Sequence, residues 1–336
     1  MPDVTLLLIA IIAIALVFDY TNGAHDAANA IATVVSTKVL SPVAAVVMAA
    51  VLNLVGAFLG TKVAHTVGAG IVNTEMVMGC QTVVLAALIA AILWNVLTWC
   101  LGLPSSSSHA LIGGLMGAAL THGGWRVLHY DSIVLKILLP IVLSPLAGFV
   151  GGYVFMVILA WIFCKTHPRN ANRAFRRLQL VASAFMATSH GTNDAQKTMG
   201  IITLALFVSH QIPAMHVPFW VVLACAFAMM LGTATGGWRI IKTMGHSIFK
   251  MEPVHGFATA TSASVVIFGA SFLGAPISTT HTISSCVLGV GASKRLSAVR
   301  WGIARSMIVA WVLTIPATAL VGALCFCALR LVGLAT

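Results

Sequence analysis

Apolar residues fill this chain in runs close to the length of one bilayer crossing, and short polar stretches separate them. About 20 apolar residues cross a hydrocarbon core about 30 Å thick. By that measure the first part of the chain offers residues 4–20 (running on to 37), 42–60, 82–101, 104–120 and 133–163. The second part offers 178–208, 217–237, 254–273, 276–291 and 301–332. That is five spans in each half and ten in all. The first and last of each half are over-long, so breaks or re-entrant pieces in them would raise the count to twelve. The pattern predicts an all-α membrane protein, a polytopic helical bundle of about 10–12 spans with broken or re-entrant helices.

Composition agrees. Charged residues make up 7% of the 336 residues and hydrophobic ones 60%, with mean hydropathy +1.03. A soluble domain carries about 25% charged residues, so the partner of this surface is membrane lipid. The net charge of +11 would suggest nucleic acid in a soluble chain. Here it is an orientation signal, and no nucleic-acid role is expected. The first run has no Lys or Arg before it and no cleavage pattern after it, so it reads as a span and not a signal peptide. The seven cysteines sit in or beside apolar runs and read as small hydrophobes, with neither disulfides nor a structural metal site expected. Trp94, Trp99, Trp161 and Trp301 near span ends read as interface anchors.

With the N-terminus outside, thirteen Lys and Arg fall in inside loops and four in outside regions. This positive-inside bias places both termini outside. An odd number of crossings per half makes the second half inverted relative to the first. The expected organisation is a first inverted repeat over 1–164, a basic cytoplasmic connector over 165–177 and a second inverted repeat over 178–336. Inverted repeats mark many secondary transporters, whose sites lie at the repeat interface near the midplane.

Two pairs of polar motifs support the duplication. Residues 22–30, reading NGAHDAANA, are echoed by 190–198, reading HGTNDAQKT, so that Gly23 meets Gly191, Asp26 meets Asp194 and Asn29 meets Lys197. Glycine beside each acid predicts an unwound turn, tolerated at membrane depth only where it lines a cavity. A carboxylate at that depth costs a few kcal/mol and marks a functional site. Asp19, about two helical turns before Asp26, is a supporting residue of the first motif. The second pair is 102–109, GLPSSSSH, with 274–281, GAPISTTH. Proline followed by hydroxyl residues predicts a helix start. The free N–H groups and partial positive charge of such an end favour anions. Two such ends, from Ser105, Ser106 and Ser107 and from Ser278, Thr279 and Thr280, suit a tetrahedral oxyanion. Neither a Gly-x-Ser-x-Gly nor a His-Glu-x-x-His pattern is present, and sequence neighbours Ser108 and His109 cannot share one helix face. An intramembrane hydrolase is therefore a remote alternative, and no enzyme is expected.

On these residues the chain resembles the inorganic phosphate transporter (PiT) family, whose duplicated signature is similar to NGAHDAANA and HGTNDAQKTMG; the resemblance covers both halves. It implies cation-coupled phosphate symport by alternating access, often as a homodimer in the cytoplasmic membrane. It places Asp26, Asn29 and Asp194 on the cation- and phosphate-binding motif and the two hydroxyl runs on the phosphate-binding helix ends. Thr192 and Asn193 join the phosphate set, and Asn22, His25 and Lys197 the coupling set. Phosphate, alone or as a metal–phosphate complex, is the expected substrate, with sulfate as an alternative oxyanion. No cofactor is expected beyond a coupling cation, H+ or Na+. The sequence departs from the commoner motif at His25 and at Lys197, each standing where an Asn is usual. These departures resemble the bacterial low-affinity branch and favour protons over sodium. The alternatives are that Lys197 turns to a membrane surface and His25 caps a helix end, leaving sodium coupling intact.

Overall fold

The structure is a computed structural model that describes residues 6–334, apart from the side chains of residues 246 and 247. The predicted start of the first span at residue 4 lies outside the described residues. The first helices are α1 (Leu6–Ser36), α2 (Pro42–Ala57), α3 (Lys62–Ala69), α4 (Gln81–Leu101), α5 (Ser107–Gly123), α6 (Tyr130–Ile133) and α7 (Leu139–Ile162). They are followed by α8 (Pro168–Val208), α9 (Phe219–Thr235), α10 (Trp238–Lys242), α11 (Pro253–Phe272), α12 (Thr279–Lys294) and α13 (Trp301–Leu331). Among the described residues there is no strand; the only extended pairing is an isolated bridge between Val72 and Leu128.

The order repeats. Each series opens on a long helix (α1, α8) and continues with a bent pair. The bend is 73° from α2 to α3, and 62° from α9 to the short helix beginning at Trp238. Next come two helices joined through a left-handed glycine, α4 and α5 at Gly102 (φ 64°), α11 and α12 at Gly274 (φ 72°). Only glycine takes that conformation without steric cost. Each series ends on a long helix with an internal proline, Pro145 in α7 and Pro316 in α13. Packing is reciprocal between the series: α12 lies on α7 as α5 lies on α13, and α1 on α9 as α2 on α8.

Five helical segments are long and apolar enough to cross a membrane: α1, α4, the Tyr130–Ile162 segment, α11 and α13. Counting each bent pair as one span raises this to seven. The ten predicted runs include three helices that do not qualify by that measure. Helices α5 and α12 have 17 and 16 residues, and α8 carries Asp194 and Lys197 within its apolar part. These are the polar helices of the interior. Outward faces are apolar instead, as with Val142 and Leu146 on α7 and Val312 and Leu320 on α13.

One sequence expectation is corrected. The unwound turns at Gly23 and Gly191 do not occur, since α1 and α8 run unbroken through both motifs. The glycines serve close helix crossing instead. A Cβ at Gly23 would stand 2.5 Å from the Met229 carbonyl oxygen of α9, and one at Gly191 would overlap the Asn53 backbone of α2. Small residues let membrane helices approach in this way. The breaks lie elsewhere, at the bent pairs and the two left-handed glycines. The basic stretch 165–177 follows α7. From Pro168 it forms the first turns of α8, where the His167 side chain accepts from the Arg169 N–H at 3.3 Å.

Candidate functional site

Helix periodicity puts Asp19, Asn22, Asp26, Asn29 and Thr33 on one face of α1, at spacings of three and four. All five are buried. Helix α8 packs against α1 and buries His190, Asp194 and Lys197 at the same spacings. The starts of α5 and α12 complete the site. Ser106 and Ser278 are their N-caps, each hydroxyl accepting from the N–H three residues on, His109 and His281, at 3.2 Å. Capping holds these two helix ends in place, each worth about 1 kcal/mol.

The α12 hydroxyls bridge the two acidic motifs. Thr280 donates to Asp26 Oδ1 at 3.1 Å, and Thr279 to Asp194 Oδ2 at 2.9 Å. Asn29 Nδ2 donates to both threonine hydroxyls, at 3.2 and 2.9 Å. On α8, Lys197 Nζ pairs with Asp194 Oδ1 and donates to Ser108 and to the Ile277 carbonyl. His190 Nε2 lies 3.0 Å from Asp194 Oδ2, and its Nδ1 lies 3.1 Å from Asn53 Oδ1. Both oxygens of Asp194 thus have partners, as a carboxylate away from water requires. On α1, His25 Nδ1 lies 2.7 Å from Asp26 Oδ1. Its Nε2 is 3.3 Å from the Thr98 hydroxyl, which accepts from Ser105 at 2.8 Å.

A second contact between the helix ends lies beside this network. The rings of His109 and His281 meet edge to face with centroids 4.6 Å apart, and Trp311 stacks on His281 at 4.1 Å. Trp311 donates to the Pro104 carbonyl at 3.0 Å, tying α13 to the approach to α5.

The structure therefore brings together Asp26, Asn29, Asp194, Lys197, His25, Ser105, Thr279 and Thr280. Ser107 is buried, and its hydroxyl has no hydrogen-bond partner among the described residues. Three predicted residues point elsewhere or stand apart. Thr192 donates to the Gly56 and Thr188 carbonyls, and Asn193 Nδ2 to Ser271 and the Ala275 carbonyl. Asn22 is buried on the α1 stripe one turn from Asp26, with Oδ1 unpartnered among the described residues. Lys197 turns inward to Asp194, not to a membrane surface, and His25 lies mid-helix, not at a helix end. Sequence reasoning missed His190, Thr98 and Ser108. The signal for His190 was its place four residues before Asp194, on the same helix face. One ligand atom each from Asp26, His190 and Asp194 fall within 4.8 Å of one another, a donor set suited to a metal ion.

Comparison with known proteins identifies the family. The chain matches the Phosphate transporter family over residues 22–173 and 163–322. It is 49% identical over 329 residues to a protein of Rhizobium meliloti (strain 1021) described as a probable low-affinity inorganic phosphate transporter, covering 97% of this chain and 98% of that one. It is 48% identical over 332 residues to a protein of the same description from Bacillus subtilis (strain 168), covering 98% and 99%. The solved structure of a sodium-dependent phosphate transporter shares the fold at a TM-score of 0.91 and 24% identity, covering 97% of this chain and all of that one. A transporter and not an enzyme, with several helices able to cross a membrane, this chain belongs to the phosphate transporter family.

Proposed function

We propose that the protein imports phosphate by symport with a cation, that the cation is a proton, and that transport proceeds by alternating access. One observation carries the choice of ion. Lys197 Nζ is bonded to Asp194, Ser108 and the Ile277 carbonyl, so the second acidic motif holds its own positive charge. A sodium ion there would compete with a tethered ammonium. In the first motif His25 Nδ1 stands 2.7 Å from Asp26 Oδ1.

Phosphate is held between the start of α5, with Ser105, Ser106 and Ser107, and the start of α12, with Ser278, Thr279 and Thr280. Helix-end N–H groups and hydroxyls supply its hydrogen bonds. Ser106 and Ser278 contribute through their caps, which fix those N–H groups. Asp26, Asn29, Asp194, Asn22, His25 and Lys197 form the coupling set, while Thr192 and Asn193 support α8 from behind. The ligand set of Asp26, His190 and Asp194 supports a metal–phosphate complex as cargo. The two repeats occupy 1–164 and 178–336, with both termini outside the cytoplasmic membrane, which the distribution of Lys and Arg supports. A homodimer rests on the family resemblance.

Uptake of labelled phosphate into proteoliposomes tests the reading. An inward pH gradient in sodium-free buffer is expected to drive accumulation, with arsenate competing and sulfate not. Accumulation that follows a sodium gradient at constant pH, and not a pH gradient, would establish sodium coupling instead.

A further inference from the structure

The α1 stripe holds an acid that the central network does not use. Asp19 is 0% exposed. Thr198, the residue after Lys197, donates to its Oδ1 at 2.9 Å. Its Oδ2 has no hydrogen-bond partner among the described residues. The ion pairs among those residues involve Asp26, Asp194 and Glu252, and none involves Asp19. Asp194 and Lys197 on α8 and the Cys225 thiol on α9 are the titratable groups acting on it. Helix α2 holds no titratable residue, and α4 only the exposed Cys100. Helices α10, α11 and α12 meet α1 from Ala24 onward. The repeat gives Asp19 no counterpart, because the position 168 residues on is Ala187.

A buried carboxylate without a basic partner needs a cation to balance it. A metal cation needs several oxygen ligands, and one hydroxyl, that of Thr198, bonds Asp19 among the described residues. A proton needs only the one free oxygen. Seven residues along the helix, at about 1.5 Å each, separate Asp19 from Asp26 by about 10 Å. Asn22 lies between them on the same face with its own Oδ1 unpartnered. The row Asp19, Asn22, Asp26 is a line of buried acceptors leading to the central site.

We infer that Asp19 is the carrier of the coupling proton, a site distinct from the phosphate-holding network; this rests on the proton-coupled reading above. A proton from water on one side forms an O–H bond at Asp19 Oδ2 and neutralises the carboxylate. After the protein changes its open side, that bond breaks and the proton returns to water there. No electron moves, and each turnover carries one proton through this residue.

The experiment compares wild type, Asp19→Asn and Asp19→Glu in proteoliposomes with labelled phosphate. Two rates are read: accumulation driven by a pH gradient, and exchange of internal for external phosphate at equal pH. Asp19→Asn, permanently neutral and of the same shape, is expected to keep exchange within about twofold and to lose gradient-driven accumulation by about tenfold or more. Asp19→Glu is expected to regain accumulation. Gradient-driven accumulation by Asp19→Asn at the wild-type level overturns the inference, as does loss of exchange in both variants, which marks a structural role. If wild type answers to sodium and not to the pH gradient, the proton-coupled reading fails first. If wild type answers to the pH gradient and Asp19→Asn does too, only the inference fails.

Discussion

Asn29 and Lys197 stand in equivalent places, three residues after Asp26 and Asp194, and each donates to the equivalent hydroxyl at the helix start of the other series. Asn29 reaches Thr280 of α12 and Lys197 reaches Ser108 of α5. The repeat is thus built into the site as a crossed pair of contacts, and it is broken there by one substitution of chemistry. An amide on one side leaves Asp26 to His25 and Thr280, while an ammonium on the other engages Asp194 directly.

Both acids are expected to be needed for accumulation. Asp194 accepts from Lys197 and Thr279, and Asp26 from His25 and Thr280, so Asn at either position leaves a buried cationic or hydroxyl partner without its acceptor. Asp26→Asn and Asp194→Asn are each expected to cut phosphate accumulation by about tenfold or more, a loss equal to about 1.4 kcal/mol. Labelled uptake, normalised to the amount of protein in the membrane, is the measurement. Wild-type accumulation in either variant would remove that acid from the mechanism.

The two hydroxyl runs are expected to respond differently at different positions. Ser107 Oγ has no hydrogen-bond partner among the described residues, so Ser107→Ala is expected to leave thermal stability unchanged while raising the half-saturating phosphate concentration about fivefold, the effect of about 1 kcal/mol. Ser106→Ala removes the α5 cap and is expected to cost about 1 kcal/mol of stability as well. Melting temperature and concentration-dependent uptake, taken together, separate the two. Equal effects from both substitutions would contradict the assignment of Ser107 to phosphate and Ser106 to its helix.

Much of this was legible in the sequence because the membrane leaves few options. Apolar runs of span length locate helices, and the acids at 26 and 194 and the two proline-hydroxyl starts are costly enough at depth to mark a site. What was not legible depended on packing. Gly23 and Gly191 carry the same residue type for an unwound turn and for a close crossing, and only the position of Met229 and Asn53 against them decides. Ser106 and Ser107 are neighbours of one type, yet one step of backbone makes one a cap and leaves the other without a partner among the described residues. Thr192 and Asn193 directly precede Asp194 in sequence but face α2 and the α11–α12 turn, because adjacent helical residues point about 100° apart.

The crossing glycines carry a stability prediction. A side chain at Gly191 would meet the Asn53 backbone, which cannot move as a flexible side chain would. Gly191→Val is expected to destabilise by at least about 1–3 kcal/mol through overpacking. Gly151, with open space where a Cβ would stand, is the control, and Gly151→Ala is expected to be neutral. Thermal unfolding in detergent reads both. A Gly191→Val protein as stable as wild type would show that α2 and α8 separate easily, against the packing described.

The broken symmetry of the site gives the last prediction. Lys197→Asn makes the second motif match the first in that position, an acid followed three residues later by an amide. It also removes the ammonium that pairs with Asp194. Losing one partner of a buried ion pair costs about 3–5 kcal/mol unless another cation replaces it. Sodium, added to the medium, is then expected to enter beside Asp194 and stabilise the folded protein by mass action. In wild type, where Lys197 holds that place, exchanging choline chloride for sodium chloride at constant ionic strength is expected to leave the unfolding temperature unchanged. In Lys197→Asn the same exchange is expected to raise it, with phosphate uptake becoming responsive to a sodium gradient. The thermal readout does not depend on transport, so it remains informative if uptake by the variant is slow. An unfolding temperature of Lys197→Asn that is the same in sodium and choline would show that the lysine does not stand in for a cation, and would leave proton coupling without its main structural support.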